Sequence, residues 1–264
     1  MDLAELLDPE RFAQRLAFHK RAVEEEAAAA AALDGLLTGP SAWWGNAIRN
    51  SGIPKTAGLV RTLVERSVAV VPKAPTDALV LAELATHVAY FGMNSRDYPE
   101  DHVARVSGEA HRQEAFVLAL LGNTNRAEAR ADEAERCFKT IPASDVDLAR
   151  LDLVRSNIAR ERARYTEAIE LARRAAETFL WFGDEKRWVA ARGYEATGYW
   201  HLCDYRRALE IWQSTCGALD AMPDEHRISL FHNMGMCARE LGDPAEAARY
   251  FTRSIAEAER AGHR

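Results

Sequence analysis

The feature that most constrains the fold is a pattern that recurs along the C-terminal part of the chain. Its clearest copy is 234–251, MGMCARELGDPAEAARYF. A run of helix formers contains Gly235, breaks at Gly242-Asp243-Pro244, and resumes at once. An interior glycine costs a helix roughly 1 kcal/mol relative to alanine, so its presence calls for a close crossing of two helices. Aligned on a small residue that follows a break, four segments superimpose: 120–138, 154–172, 194–212 and 233–251. The aligned alanines are Ala134, Ala168, Ala208 and Ala247, separated by 34, 40 and 39 residues. A weaker copy lies at 56–90, around Ala78. A two-helix hairpin cannot bury its apolar face alone, so tandem copies must stack on one another.

The rest of the chain is compatible with an all-α fold. Ala, Leu, Glu and Arg dominate, and the one strand-like run, SVAVV (67–71), lies inside a helical pattern. The first long helix is predicted from Asp8-Pro9 to about Leu37, with Phe12, Leu16, Val23, Ala27, Ala30 and Leu37 as its apolar stripe. EEEAAAAAAL (24–33) reads as a solvated glutamate face beside a small-residue packing face. Gly39-Pro40 stops this helix. The expected organisation is an N-terminal helical element over 1–40, a linker over 41–55, and an array of four to five hairpins over 56–264.

The formal net charge of −6 argues against a broad nucleic-acid-binding surface. The four cysteines, Cys137, Cys203, Cys216 and Cys237, are scattered and read as free thiols. The acidic N-terminus MDLAELLDPERF has no signal-peptide pattern, and no apolar run approaches the ~18 residues of a membrane helix. The expectation is a cytoplasmic protein with no membrane contact.

Chemistry-bearing motifs are sparse. Glu83 and His87 are spaced i,i+4, and His111 and Glu114 i,i+3. Either pair has half the spacing of a helical metal site, and either is also an ordinary surface pair. No phosphate-binding loop, nucleophile elbow or paired-carboxylate box occurs. The expected protein is not an enzyme and takes no cofactor.

The repeated unit resembles that of the tetratricopeptide repeat (TPR) family, a helix–turn–helix of 34 residues. In the last copy Phe231 takes the first aromatic position, Met234-Gly235 the Leu-Gly position, Gly242-Asp243 the turn, and Ala247, Phe251 and Ser254 the small–aromatic–small positions. Leu121-Gly122, Ala134 and Phe138 match in 114–141. Tyr165, Ala168 and Ala172 match in 148–175, and Tyr199, Tyr205, Ala208 and Trp212 in 188–215. The resemblance implies a right-handed α-solenoid. It also implies a groove lined by outward positions of each first helix: Asn123 and Arg126, Asn157 and Arg160, Thr197 and Trp200, then His232, Met236 and Arg239. Asparagine can hold a peptide backbone and arginine a carboxylate. The plainer reading is a solvated face with local ion pairs.

Trp181 and Trp188, in an aromatic stretch taken as a loop, form a second candidate contact surface. AWWG (42–45) either offers a third or packs the N-terminal helix onto the first hairpin. The last helix still shows apolar Ile255 and Ala258, so self-association through the C-terminal repeat, or a chain continuing past Arg264, is expected to cover it. The leading expectation is a bacterial TPR scaffold that binds a protein or peptide in a signalling or regulatory assembly. The alternative is a peptide- or ligand-gated sensor of the pheromone-receptor type, which sets a small helical domain before a TPR array.

Overall fold

A computed structural model describes residues 9–262, and among these residues there are twelve α-helices. Helices α1 (Pro9–Leu36) and α2 (Ser41–Asn50) come first. Five hairpins follow: α3 (Ala57–Val70) with α4 (Pro75–His87), α5 (Glu100–Leu120) with α6 (Thr124–Lys139), and α7 (Asp145–Glu161) with α8 (Tyr165–Trp181). Then come α9 (Glu185–His201) with α10 (Tyr205–Ser214), and α11 (Asp224–Glu240) with α12 (Pro244–Arg260). The chain divides into two compact units between 142 and 143, so that unit 1 holds α1–α6 and unit 2 holds α7–α12.

Every second helix carries an alanine at its fourth residue: Ala78, Ala127, Ala168, Ala208 and Ala247. All five are buried. Twelve residues earlier in the last four hairpins stand Ala115, Ser156, Ala196 and Gly235, also buried, and eleven earlier in the first stands Ser67. The two serines bind the crossing directly: Ser67 Oγ donates to the carbonyl of Ala78 and Ser156 Oγ to that of Ala168, both at 2.8 Å. At Gly235 a Cβ would lie 2.6 Å from the Phe251 ring, which is the close approach expected of it.

This register corrects the sequence alignment of the second hairpin. Its equivalent alanine is Ala127, not Ala134, and the spacing to Ala168 is 41 residues, not 34. The slip has a physical origin. Ala127, Ala131 and Ala134 all face the core of α6, and two helical turns separate the first from the last, so each fits the same template. Gly122 correspondingly sits in a turn at φ +75°, not in a helix crossing.

The turn between paired helices is three residues long and built the same way four times. Gly122, Ala163, Cys203 and Gly242 take positive φ, and the next N–H returns five residues to a carbonyl of the helix just ended. These bonds run from Asn123 to Leu118, Arg164 to Ala159, Asp204 to Tyr199 and Asp243 to Ala238, at 2.8–3.0 Å. That is the Schellman closure. Asn123, Asp204 and Asp243 then cap the following helix with their side chains. Stop and restart are thus compressed into one motif.

In unit 1, α1 presents a different face from the predicted stripe. Leu16 and Val23 are exposed, while Ala29 and Leu33 are buried; Phe12 lies outside the residues whose side chains are described. The glutamates are engaged as well. Glu25 accepts from the Tyr98 hydroxyl at 2.9 Å and Glu26 pairs with Arg61 at 3.2 Å. Residues 41–50, expected as linker, form α2, because Trp44 and Ile48 one turn apart both reach the core. Trp43 is exposed.

In unit 2 the aromatic stretch is not a loop. Helix α8 runs through Trp181, and α9 starts at Glu185 after three intervening residues. Trp188 packs against two neighbouring core clusters, one around Phe179 and Ala191 and one around Trp212 and Phe231. Trp181 is 85% exposed beside exposed Leu180 and Phe182.

Candidate functional site

The sequence-predicted groove residues fall into three groups. In unit 2, Asn157 and Arg160 on α7, Thr197 and Trp200 on α9, and Met236 and Arg239 on α11 occupy equivalent positions, offset by 40 and 39 residues like the repeated alanines. Arg160 donates to Asn157 Oδ1 and pairs with Glu161, both at 2.6 Å. Asn157 is buried, and its amide nitrogen has no hydrogen-bond partner. An orphaned donor beside a half-buried guanidinium is a place where a carbonyl or carboxylate gains two bonds.

Around this pair, the rings of Tyr165 and His201 stack at 5.0 Å and 3°. His201 is held below the usual imidazole range, first by burial and then by Arg160. Trp200 meets His201 and Tyr205 edge-on and packs on the core cluster of α9–α12, so part of its ring is structural. Arg239 is exposed and paired with Glu240 at 2.8 Å. His232 is exposed on α11, its ring 5.6 Å from Phe251.

Asn123 and Arg126 do not belong to this row. Their expected equivalence rested on the slipped register; the positions that match Asn157 and Arg160 in α5 are Phe116 and Ala119. Asn123 is a helix cap and Arg126 lies on a second helix, where it pairs with Glu83 at 2.8 Å.

Arg126 does, however, line a pocket of ≈ 470 Å³ wholly within unit 1. Helix α4 contributes Glu83, Thr86 and His87, and the turn of π-helix after it (Val88–Gly92) contributes Tyr90 and Phe91. Helix α5 supplies His111 and Glu114, and α6 supplies Arg126, Arg130, Glu133 and Arg136. Arg126 and Arg130 share one face of α6 at i,i+4. Glu114 is 1% exposed; its Oε1 accepts from Arg130 Nε at 2.8 Å and has Arg126 at 3.8 Å. His111 is pushed down to about 4, by burial first and by Arg130 next, and so is neutral at physiological pH.

Both histidine–glutamate pairs singled out in the sequence therefore meet in one place. The arginines claim both carboxylates, and among the described residues no group of three or more His, Cys, Asp or Glu side chains is placed to hold a metal ion.

No protein-family model and no curated protein matches the chain. Solved structures do. BtubC (BKLC) from P. vanneervenii is similar over 92% of this chain and 93% of its own, at 15% identity and a TM-score of 0.63. A protein of nearly identical TPR-like repeats from Podosopora anserina, described as a kinesin light chain, is similar over 76% of this chain and 96% of its own, at 13% identity and a TM-score of 0.54. The chain has the TPR-like repeat fold.

Within that TPR-like frame the structure also shows what the sequence reading missed. The pocket of unit 1 needs residues from two hairpins, and the two histidine–glutamate pairs hinted at it without showing that they meet. No described helix is long and apolar enough to cross a membrane. On α12, Ile255 is exposed and Ala258 half-buried.

Proposed function

We propose that the protein is a non-catalytic TPR-like scaffold that binds a protein or peptide partner in a bacterial signalling or regulatory assembly. The observation that carries this is the row at equivalent positions of α7, α9 and α11, with the orphaned amide of Asn157 beside Arg160 at its start. Peptide carbonyls supply the acceptor that Asn157 lacks, and Trp200 and Met236 offer apolar contact further along. Self-association through α12 belongs to the same reading. The test is capture of partners from the native host with wild type and with Asn157→Ala/Arg160→Glu. At least a tenfold loss of a specifically retained partner is expected; equal retention sinks the assignment of this surface.

The second reading, a peptide- or ligand-gated regulator of the pheromone-receptor type, draws support from a different observation. Unit 1 holds a pocket of ligand size whose buried polar groups are incompletely satisfied.

A further inference from the structure

The pocket of unit 1 contains groups that no interaction within the protein completes. Glu114 Oε2 is buried with no hydrogen-bond partner, although Oε1 of the same carboxylate is held by Arg130. His111, 7% exposed, lines the same space with an unpartnered Nδ1. Native proteins rarely leave such atoms orphaned, because a desolvated acceptor without a donor is costly. A donor brought by a ligand removes that cost.

The lining also constrains the ligand's charge. Glu83, Glu114 and Glu133 stand against Arg126, Arg130 and Arg136, and each carboxylate is paired with one of these arginines. The pocket has both signs and no net charge, so a lone anion meets Glu114 and a lone cation meets the guanidiniums. The signs are graded in depth: Glu114 is buried, whereas the Arg126 side chain is half exposed and that of Arg130 about a third. At the rim Tyr90 and Phe91 are each 74% exposed and meet edge-to-face, with Phe91 5.2 Å from His87. Such rings are free to cover an apolar group.

We propose that this pocket binds a small zwitterion with an apolar side chain. Its ammonium donates to Glu114 Oε2, its carboxylate faces Arg126 and Arg130, and its side chain lies against Tyr90 and Phe91. That is the chemistry of a free α-amino acid such as phenylalanine, or of a short apolar peptide. The volume of ≈ 470 Å³ suits a ligand of that size. The proposal deepens the ligand-gated reading and is independent of the partner surface on α7, α9 and α11.

The test is calorimetric titration of the full chain with phenylalanine, phenylalanyl-phenylalanine, N-acetyl-phenylalanine and phenylalaninamide. Saturable binding of one of the first two is expected, and which of them binds decides between free amino acid and peptide. Removing either charge should weaken binding at least tenfold. Glu114→Gln, nearly isosteric, should do the same without changing the far-ultraviolet circular dichroism. If that variant does not fold, Tyr90→Ala/Phe91→Ala replaces it, since both rings are exposed, and it should weaken binding at least threefold. A blocked analogue that binds as tightly as its parent leaves a ligand pocket but overturns the zwitterion. Unchanged affinity in a folded Glu114→Gln, or in the rim variant, overturns the placement. No saturable binding by any of the four overturns both the zwitterion and the gated reading based on this pocket.

Discussion

The two units place a glutamate at the same buried position and use it differently. Glu114 in α5 and Glu195 in α9 are equivalent in the repeat register, and both are nearly inaccessible. In unit 2, Glu195 is held by Arg192, one turn away on its own helix. In unit 1 the arginines come from α6, Glu114 lines a pocket, and its Oε2 is buried without a hydrogen-bond partner. The same repeat position thus carries a carboxylate paired within its own helix in one unit and a carboxylate lining a ligand-sized space in the other. The difference lies in which helix carries the cation.

If the two units share one packing scheme, their equivalent core aromatics should be interchangeable in energy. Phe138 in α6 and Phe179 in α8 occupy the same repeat position and both are fully buried. Phe138→Ala and Phe179→Ala should each cost about 3–5 kcal/mol in urea unfolding. A cost below about 1 kcal/mol for either would break the equivalence.

A smaller effect separates the units by pH. His111 falls from 6.5 to about 4 on folding, so between those values the unfolded chain binds the proton and the folded chain does not. Stability is full above pH 6.5 and declines as pH falls towards 4, by an amount on the order of 3 kcal/mol. Hydrogen exchange of α5 amides should follow that decline in wild type and lose most of it in His111→Gln. An unchanged slope in the variant would assign the pH response elsewhere.

The smallest effect tests the two glutamates directly. Arg192→Ala leaves Glu195 buried without its cation and should cost about 2 kcal/mol, below the range for fully buried pairs because Arg192 is partly exposed. Arg130→Ala should cost about 1 kcal/mol, because Glu114 retains Arg126 nearby and Arg130 is itself more than a third exposed. The reverse order in denaturation midpoints would show that the pocket is the more tightly closed of the two sites.

Much of the architecture was legible in the residues. The break at Gly242-Asp243-Pro244 is a hairpin turn, and Gly235 is a helix crossing, as the local chemistry implied. Local rules of capping and propensity act over a few residues, which is the range a sequence pattern reports. Register over longer stretches was less secure. In α6 an alanine every three or four residues allowed a slip of two turns, which carried Asn123 and Arg126 into a row where they do not belong. The face of α1 misled for a related reason, since Leu16 and Val23 satisfy the periodicity but Ala29 and Leu33 are the residues that meet the core.

By itself, then, the sequence determined that this protein is built of stacked helical hairpins, and where most of them begin and end. Helix formers, caps and positive-φ turns specify that through contacts between near neighbours in the chain. The tertiary structure alone decided that Glu83, His87, His111, Glu114, Arg126 and Arg130 share one pocket. That outcome depends on how side chains from three helices meet across two hairpins, and the spacing along any one helix does not encode that meeting.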